Sequence, residues 1–241
     1  MNQSWFVTGT DTEIGKTYCT LALIQHFNKH GLRVAGMKPI ASGCYRSSQG
    51  LRNSDAEQIL AVSGLEVPYD WVNPYAFEPP IAPHLAAAQV GQTIELEQIV
   101  SQYQQLAAVA DIVVVEGVGG WRVPINATQS LKDMVLALKI PVILVVGMRL
   151  GCINHALLTA ETIIRDGATM TGWIANSMNP DFDAQGSINT LSARLYAPLL
   201  AQMPYSLDIG NLGVLRMTDE LDNVTFQSQP CCFRTRRALY S

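Results

Sequence analysis

The run Gly9-Thr-Asp-Thr-Glu-Ile-Gly-Lys-Thr17 sets a glycine-bearing turn before a lysine and a hydroxyl, at what reads as a helix start. A loop of this kind cradles polyphosphate, because its backbone N–H groups and the helix N-terminus converge on anionic oxygens. Lys16 is placed to neutralise the β- and γ-phosphates, and the Thr17 hydroxyl to ligate Mg²⁺. Five residues rather than four separate Gly9 from Gly15, so Thr10 stands where the strict pattern has a glycine. Three more groups can complete such a site. Glu116 ends the apolar run Ile112–Val115 and is followed by Gly117-Val-Gly-Gly120. Ligands of open parallel sheets bind beyond the carboxyl ends of strands, so a carboxylate there can hold Mg²⁺ directly or through water. Lys38, in Gly36-Met-Lys-Pro-Ile-Ala-Ser-Gly43, brings a compact positive charge to the same edge. Asp55, in Leu51-Arg-Asn-Ser-Asp55, is a second carboxylate for the metal; its plain alternative is an acid that stabilises a helix N-terminus.

These groups need a sheet that delivers them to one edge. Trp5–Thr8 reads as a short strand entering the loop. From Gly15, Leu21, Ile24, Gln25 and Asn28 fall on helical spacing, and Gly31 stops the helix. Arg33–Met37, Asp111–Glu116, Pro141–Gly147 and Met170–Asn176 read as further strands. Helices are predicted over 94–108, 130–138 and 154–165, and one more opens at Ser54, with Glu57 completing a capping box. This alternation predicts an α/β fold in three layers, a mostly parallel sheet with helices on both faces. Residues 68–92 show no clean period, and stretches of that kind are often functional. After Leu207 the pattern fades, and Gln229–Arg237 reads as a tail. The chain is expected to be one domain, with 208–241 as a C-terminal tail.

Bulk properties narrow the function classes. The 241 residues carry a net charge of −4, which argues against a general nucleic-acid surface. No apolar run reaches the roughly 18–20 residues that span a bilayer. The start of the chain lacks the charged and apolar regions of a signal peptide. Five cysteines, with no Cys-x-x-Cys pair, suggest neither a disulfide framework nor a zinc site. The expectation is a cytoplasmic protein with reduced thiols. Cys152 beside Gly151 reads as structural, since the chemistry above needs no thiol.

The stretches TGTDTEIGKT (8–17), GMKPIASG (36–43), GLRNSDA (50–56), NPYAFEPPIAPH (73–84), VEGVGGW (115–121), PVILVVGMRLGCINHALLTAE (141–161) and IAN (174–176) together closely resemble the dethiobiotin synthetase family, over about Phe6 to Leu207. The resemblance implies the P-loop nucleoside triphosphate hydrolase fold and MgATP-dependent joining of CO₂ to 7,8-diaminononanoate. It implies a carbamate, then a carbamic-phosphoric anhydride, then ring closure to dethiobiotin with release of phosphate and ADP. Lys38, Lys16 and Thr12 become the catalytic candidates. The nucleotide site is expected to draw on Glu13, Ile14, Gly15, Lys16, Thr17 and Tyr18, with Asp55, Glu116, Gly117, Val118 and Gly119. Asn176 and Ser177 would meet the adenine, flanked by Pro204, Tyr205, Ser206 and Leu207; this sequence shares mainly the Pro204 anchor there. Thr17, Asp55 and Glu116 would hold Mg²⁺. Thr12, Lys38 and Ser42 would hold the diamine or its carbamate. The N–H groups of Gly151, Cys152 and Ile153, with Asn154, would receive the substrate's distant carboxylate across a homodimer, giving two composite sites.

Two other classes fit parts of the sequence. A partitioning-type nucleotide switch shares the loop and sheet, but usually carries a lysine five residues before the loop lysine, where this chain has Asp11. It also leaves GMKPIASG without a role. An amidotransferase-type synthetase would need a glutaminase region for which no residues remain.

Overall fold

The computed structural model describes residues 3–205 and 216–226. The elements run β1 (Gln3–Gly9), α1 (Lys16–Lys29), β2 (Val34–Met37), β3 (Ile40–Ala41), β4 (Tyr45–Ser47), β5 (Gly50–Arg52), α2 (Ser54–Ser63), α3 (Tyr69–Val72), β6 (Tyr75–Ala76) and α4 (Pro83–Gln89). They continue with α5 (Leu96–Val109), β7 (Ile112–Glu116), α6 (Leu131–Leu138), β8 (Val142–Met148), α7 (Cys152–Arg165), β9 (Met170–Ser177), α8 (Gln185–Arg194), β10 (Leu199–Met203), β11 (Arg216–Met217) and α9 (Asp219–Phe226). Seven strands make one sheet in the order β11-β10-β9-β8-β1-β7-β2. All neighbours are parallel except β10 with β11. The chain passes from β1 to the edge strand β2, returns to β7 between them, then crosses to β8, β9 and β10 on the other side of β1. The crevice beside β1 therefore lies where ligands of such sheets bind.

The parallel sheet explains its own sequence. Every residue of β7 and β8 is buried, so these strands read as unbroken apolar runs rather than alternating ones. Their side chains still alternate between two cores. Trp5, Val7, Val114, Ile143 and Val145 pack with Ile24 and Phe27 of α1 on one face. Phe6, Val113, Val115, Leu144 and Val146 pack with Leu106, Ile163 and Trp173 on the other. Gly36 lets α1 and α2 close onto β2: a Cβ there would lie 2.2 Å from Ile59 Cγ2 and 2.8 Å from Ile24 Cδ1.

Three sequence expectations change. The cap of α2 is Asn53, not Ser54. The Asn53 side chain accepts from the Ala56 N–H at 3.2 Å, and Ser54 is the first helical residue. An amide oxygen one residue earlier serves the same orphan donors, so both residue types suit the site and geometry chooses. The irregular stretch 68–92 contains α3, β6 and α4, elements too short for a period to show. The reading of everything after Leu207 as a tail fails for 216–226. There β11 adds an antiparallel edge to β10, and α9 buries Leu221 completely in the α1-side core. Eight residues give α9 too few turns for apolar spacing to stand out. The remaining tail positions, 208–215 and 227–241, lie outside the described residues. Leu221→Ala should therefore cost about 2–4 kcal/mol of stability. Thermal and urea unfolding of the full chain would measure it; an unchanged midpoint would mean that α9 is not part of the core.

Candidate active site

β1 delivers its end, Gly9, into a loop that closes on the start of α1. Gly15 caps that helix at φ 82°, in the left-handed region, and the Glu13 before it has φ 56°. A Cβ on Gly15 would lie 2.1 Å from Asn176 Nδ2, because that amide comes from the end of β9 to donate to the Ile14 carbonyl at 2.8 Å. Gly15 is thus required twice, by conformation and by the approach of Asn176. Inside the loop, Lys16 Nζ donates to the Asp11 carbonyl at 2.6 Å. Outside it, Arg149 Nη2 meets Asp11 Oδ2 at 2.5 Å, tying the loop to the turn after β8.

Lys38, Asp55, Glu116 and Thr17 come from four elements or their ends and meet at the carboxyl edge. Glu116 is 1% exposed. Its Oε1 accepts from Lys38 Nζ at 2.8 Å and from Thr17 Oγ1 at 2.9 Å. Lys38 Nζ also donates to Asp55 Oδ2 at 2.5 Å. Glu116 Oε2 is buried without a hydrogen-bond partner. A buried carboxylate oxygen left unserved is costly unless a ligand or ion supplies the missing contact. The set of one hydroxyl and two carboxylates is all oxygen, and fits a hard divalent cation such as Mg²⁺.

The two lysines are tuned in opposite directions. Burial pushes Lys16 down to about 8; Lys38 lowers it further, and Glu116 and Asp11 offset only part of this. Burial also works against the charge on Lys38, but the attraction of Glu116 and Asp55 outweighs it and holds its pKa above the ordinary lysine value. Lys38 therefore stays a cation through the neutral range. Lys16, whose nearest partner is a carbonyl, gains the more from an arriving anion.

A cavity of about 730 Å³ gathers many of the sequence candidates: Thr12, Glu13, Gly15, Lys16, Thr17, Tyr18, Lys38, Ser42, Asp55, Glu116, Gly117, Val118 and Gly119. The Ser42 Oγ is buried with no hydrogen-bond partner, as a hydroxyl kept for a ligand would be. Asn53, Val123 and Pro80–Pro83 also line the cavity, and the sequence reading gave them no role. The signal was there in NPYAFEPPIAPH, recognised as a motif but without periodicity to aim its residues. A second cavity, about 590 Å³, is lined by Ser177 and Pro204 with Met148, Ala175, Phe182 to Gln185, Ile188, Gln202 and Met203. Ile14 is buried in the core beneath the loop, and Tyr205 is exposed beyond β10. Ser206 and Leu207 lie outside the described residues. Gly151, Cys152, Ile153 and Asn154 line neither cavity. The Cys152 N–H donates to the Arg149 carbonyl at 3.0 Å. Cys152 itself is buried at 3% exposure, in keeping with a packing role.

Among the described residues no helix is long and apolar enough to cross a membrane. Likeness to solved structures bears on the fold alone. The chain resembles the MinC:MinD cell division protein complex of Aquifex aeolicus (TM-score 0.55, 15% identity, 87% of this chain and 84% of that one). It also resembles the signal recognition particle receptor FtsY of Elizabethkingia anophelis in complex with GDP (TM-score 0.53, 13% identity), covering 95% of this chain but only 64% of that one. A family model described as an AAA domain matches residues 3–212. Curated relatives are much nearer in sequence. The ATP-dependent dethiobiotin synthetase BioD of Xanthomonas oryzae pv. oryzae (strain PXO99A) is 49% identical over 206 residues, 85% of this chain and 92% of the relative. That of Pseudomonas paraeruginosa (strain DSM 24068 / PA7) is 46% identical over 218 residues, 90% and 96% respectively. With the phosphate loop, the buried Lys38–Glu116 pair and the mostly parallel sheet in place, this chain belongs to the dethiobiotin synthetase family, built on the AAA-domain form of the P-loop fold.

Proposed function

We propose that this chain closes a cyclic urea on 7,8-diaminononanoate, consuming CO₂ and ATP and yielding dethiobiotin, ADP and phosphate, a step of biotin biosynthesis carried out in the cytoplasm. The observation that carries the reading is Lys38. It is a buried ammonium held charged between Asp55 and Glu116, in one cavity with the phosphate loop and the unpartnered Ser42 hydroxyl.

The chemistry makes two anions approach. One amine of the substrate takes up CO₂ and becomes a carbamate. A carbamate oxygen attacks the γ-phosphate, ADP leaves, and a carbamic-phosphoric anhydride forms. The second amine attacks the anhydride carbonyl; the ring closes and phosphate departs with the C–O bond electrons. Lys16 supplies charge to the polyphosphate, and its depressed pKa means that nucleotide binding draws it fully into the protonated form. Lys38 stays protonated, so its role is electrostatic: it offsets charge where carbamate and phosphoryl oxygens crowd together. Thr12 and Ser42 orient the nitrogen-bearing end of the diamine by hydrogen bonds. Thr17, Asp55 and Glu116 are the residues that would hold Mg²⁺. When bound, the ion supplies positive charge against the phosphate oxygens. Adenine would lie over Asn176 and the cavity walled by Ser177 and Pro204. The Asn176 Nδ2 donates to the Ile14 carbonyl at 2.8 Å and to Met178 Sδ at 3.4 Å, which leaves the side-chain oxygen as its contribution to base recognition.

We also take the chain as one domain acting as a homodimer, with the start of α7 in one subunit completing its partner's site. The support is that Gly151–Asn154 stand apart from their own chain's cavities, and that Leu150 is 93% and Leu158 56% exposed. No observation favours the nucleotide switch: at the position of its lysine, Asp11 pairs with Arg149.

Mixing the protein with MgATP, bicarbonate and the diamine should yield the cyclic urea by mass spectrometry, with ADP release dependent on both co-substrates. ATP hydrolysis indifferent to them would sink the reading. Lys16→Ala should lose nucleotide affinity as well as turnover. Lys38→Ala should keep most of that affinity and lose turnover on the order of 10²–10³-fold, the effect of deleting one group that meets developing charge. Calorimetric affinities separate the two, and equal losses would contradict the division of roles. Asp55→Asn and Glu116→Gln should each raise the Mg²⁺ concentration needed for half-maximal rate. Titrations that overlay the parent would show that these carboxylates do not hold the metal.

A further inference from the structure

Away from the phosphate loop, the C-terminal end of α1 meets α9. His26 and His30 stand four residues apart on α1 and so share one helix face. Asp222 reaches them from α9, 196 residues further along the chain than His26. His26 Nε2 lies 3.1 Å from Asp222 Oδ1, and the two imidazole centroids are 4.5 Å apart. One ligand atom from each of the three residues falls within 4.8 Å of the others. We propose that His26, His30 and Asp222 form a binding site for a divalent transition metal of the zinc class, one that ties α9 to α1.

The geometry is close to what such an ion needs. Zn–N and Zn–O bonds of roughly 2.0–2.2 Å place two tetrahedral ligands about 3.4 Å apart. His26 and Asp222 already stand near that spacing, with the gap now bridged by a hydrogen bond. His30 Nδ1 lies 2.8 Å from the His26 carbonyl. A carbonyl only accepts, so Nδ1 is the protonated nitrogen of His30 and Nε2 carries the lone pair. Metal-bound histidines are commonly held in their tautomer by this kind of bond. The His26 side chain is 15% exposed and that of Asp222 28%, while His30 is open to solvent and gives an entry path. The carbonyl end of α1 favours a cation, whereas Lys29 in the same turn opposes one from a setting where salt screens it.

Two imidazoles and one carboxylate prefer Zn²⁺, Cu²⁺, Ni²⁺ or Co²⁺ to Mg²⁺, which separates this site from the oxygen-only set at Glu116. Three protein ligands leave one position for water. The ion would join two helices far apart in sequence, and α1 is the helix that begins at the phosphate loop. Binding to the folded state alone stabilises it by mass action.

The test uses the full chain, freed of metal with EDTA, dialysed, and kept in Mg²⁺. Zinc chloride is titrated by calorimetry, and thermal unfolding is followed with and without zinc. Cys231 and Cys232 are a rival zinc ligand pair, so the C231S/C232S double variant is run beside H30Q and D222N. The expected result is one zinc per chain in the parent and in C231S/C232S, with a raised Tm. Affinity should fall by at least about tenfold in both H30Q and D222N, with the Tm shift lost. His30 is exposed, so H30Q should keep the fold, which circular dichroism would verify. The proposal is overturned if the parent takes up no zinc, if H30Q and D222N bind as the parent does, or if only C231S/C232S loses binding. None of these outcomes bears on the ring-closing reaction.

Discussion

Burying Glu116 is the constraint around which the site is built. A carboxylate at the end of β7, almost without solvent, is expensive unless it is paired and hydrogen-bonded. Lys38 from the end of β2 and Thr17 from the start of α1 serve one of its oxygens. The register of the sheet makes this possible: Met37 lies opposite Val115, so Lys38 follows immediately beside Glu116, and Val7 beside Glu116 brings the phosphate loop over both. Had β2 or β7 been shifted by one residue, the carboxylate and the ammonium would have turned to opposite faces.

The same pair sets the electrostatics of the cavity. Two carboxylates within contact of one ammonium hold it charged, while the second ammonium nearby, without such partners, is pushed toward neutrality. Burial thus lowers the pKa of Lys16, while its carboxylate partners raise that of Lys38. Under the proposed ring closure, which must gather polyphosphate and carbamate, Lys16 would meet the nucleotide and Lys38 the charge that develops between the two anions. Asp11 and Arg149, rather than a lysine, occupy the outer side of the loop and hold it to the turn beyond β8.

At the periphery, stability comes from elements whose sequences are modest. α9 has few apolar residues, yet Leu221 enters the core beside α1 with no exposure. That anchor stands next to Asp222, which meets His26 and assembles a cluster that no local pattern announces. It also extends the sheet's edge, since β11 just before it pairs with β10.

The phosphate loop and the glutamate that ends β7 were readable from the sequence because their physics is local or nearly so. A strand that runs into a glycine turn and then a helix makes an anion site wherever it occurs, and an apolar strand ending in glutamate presents that carboxylate at the ligand edge. The parallel sheet was legible from unbroken apolar runs such as Ile112–Val115, which only a strand covered on both faces tolerates. What tertiary structure decided was every relation across the chain. Lys38 could equally have been a solvated lysine and Asp55 a helix-start acid until folding brought them within 2.5 Å of each other. The Asn176 contact that makes Gly15 obligatory links residues 162 positions apart. Asn53 rather than Ser54 caps α2 because backbone geometry, not residue type, distinguishes the two. Leu221 is buried in a core cluster with residues of α1, and His26 meets Asp222 across 196 residues, so no window of sequence contains either relation.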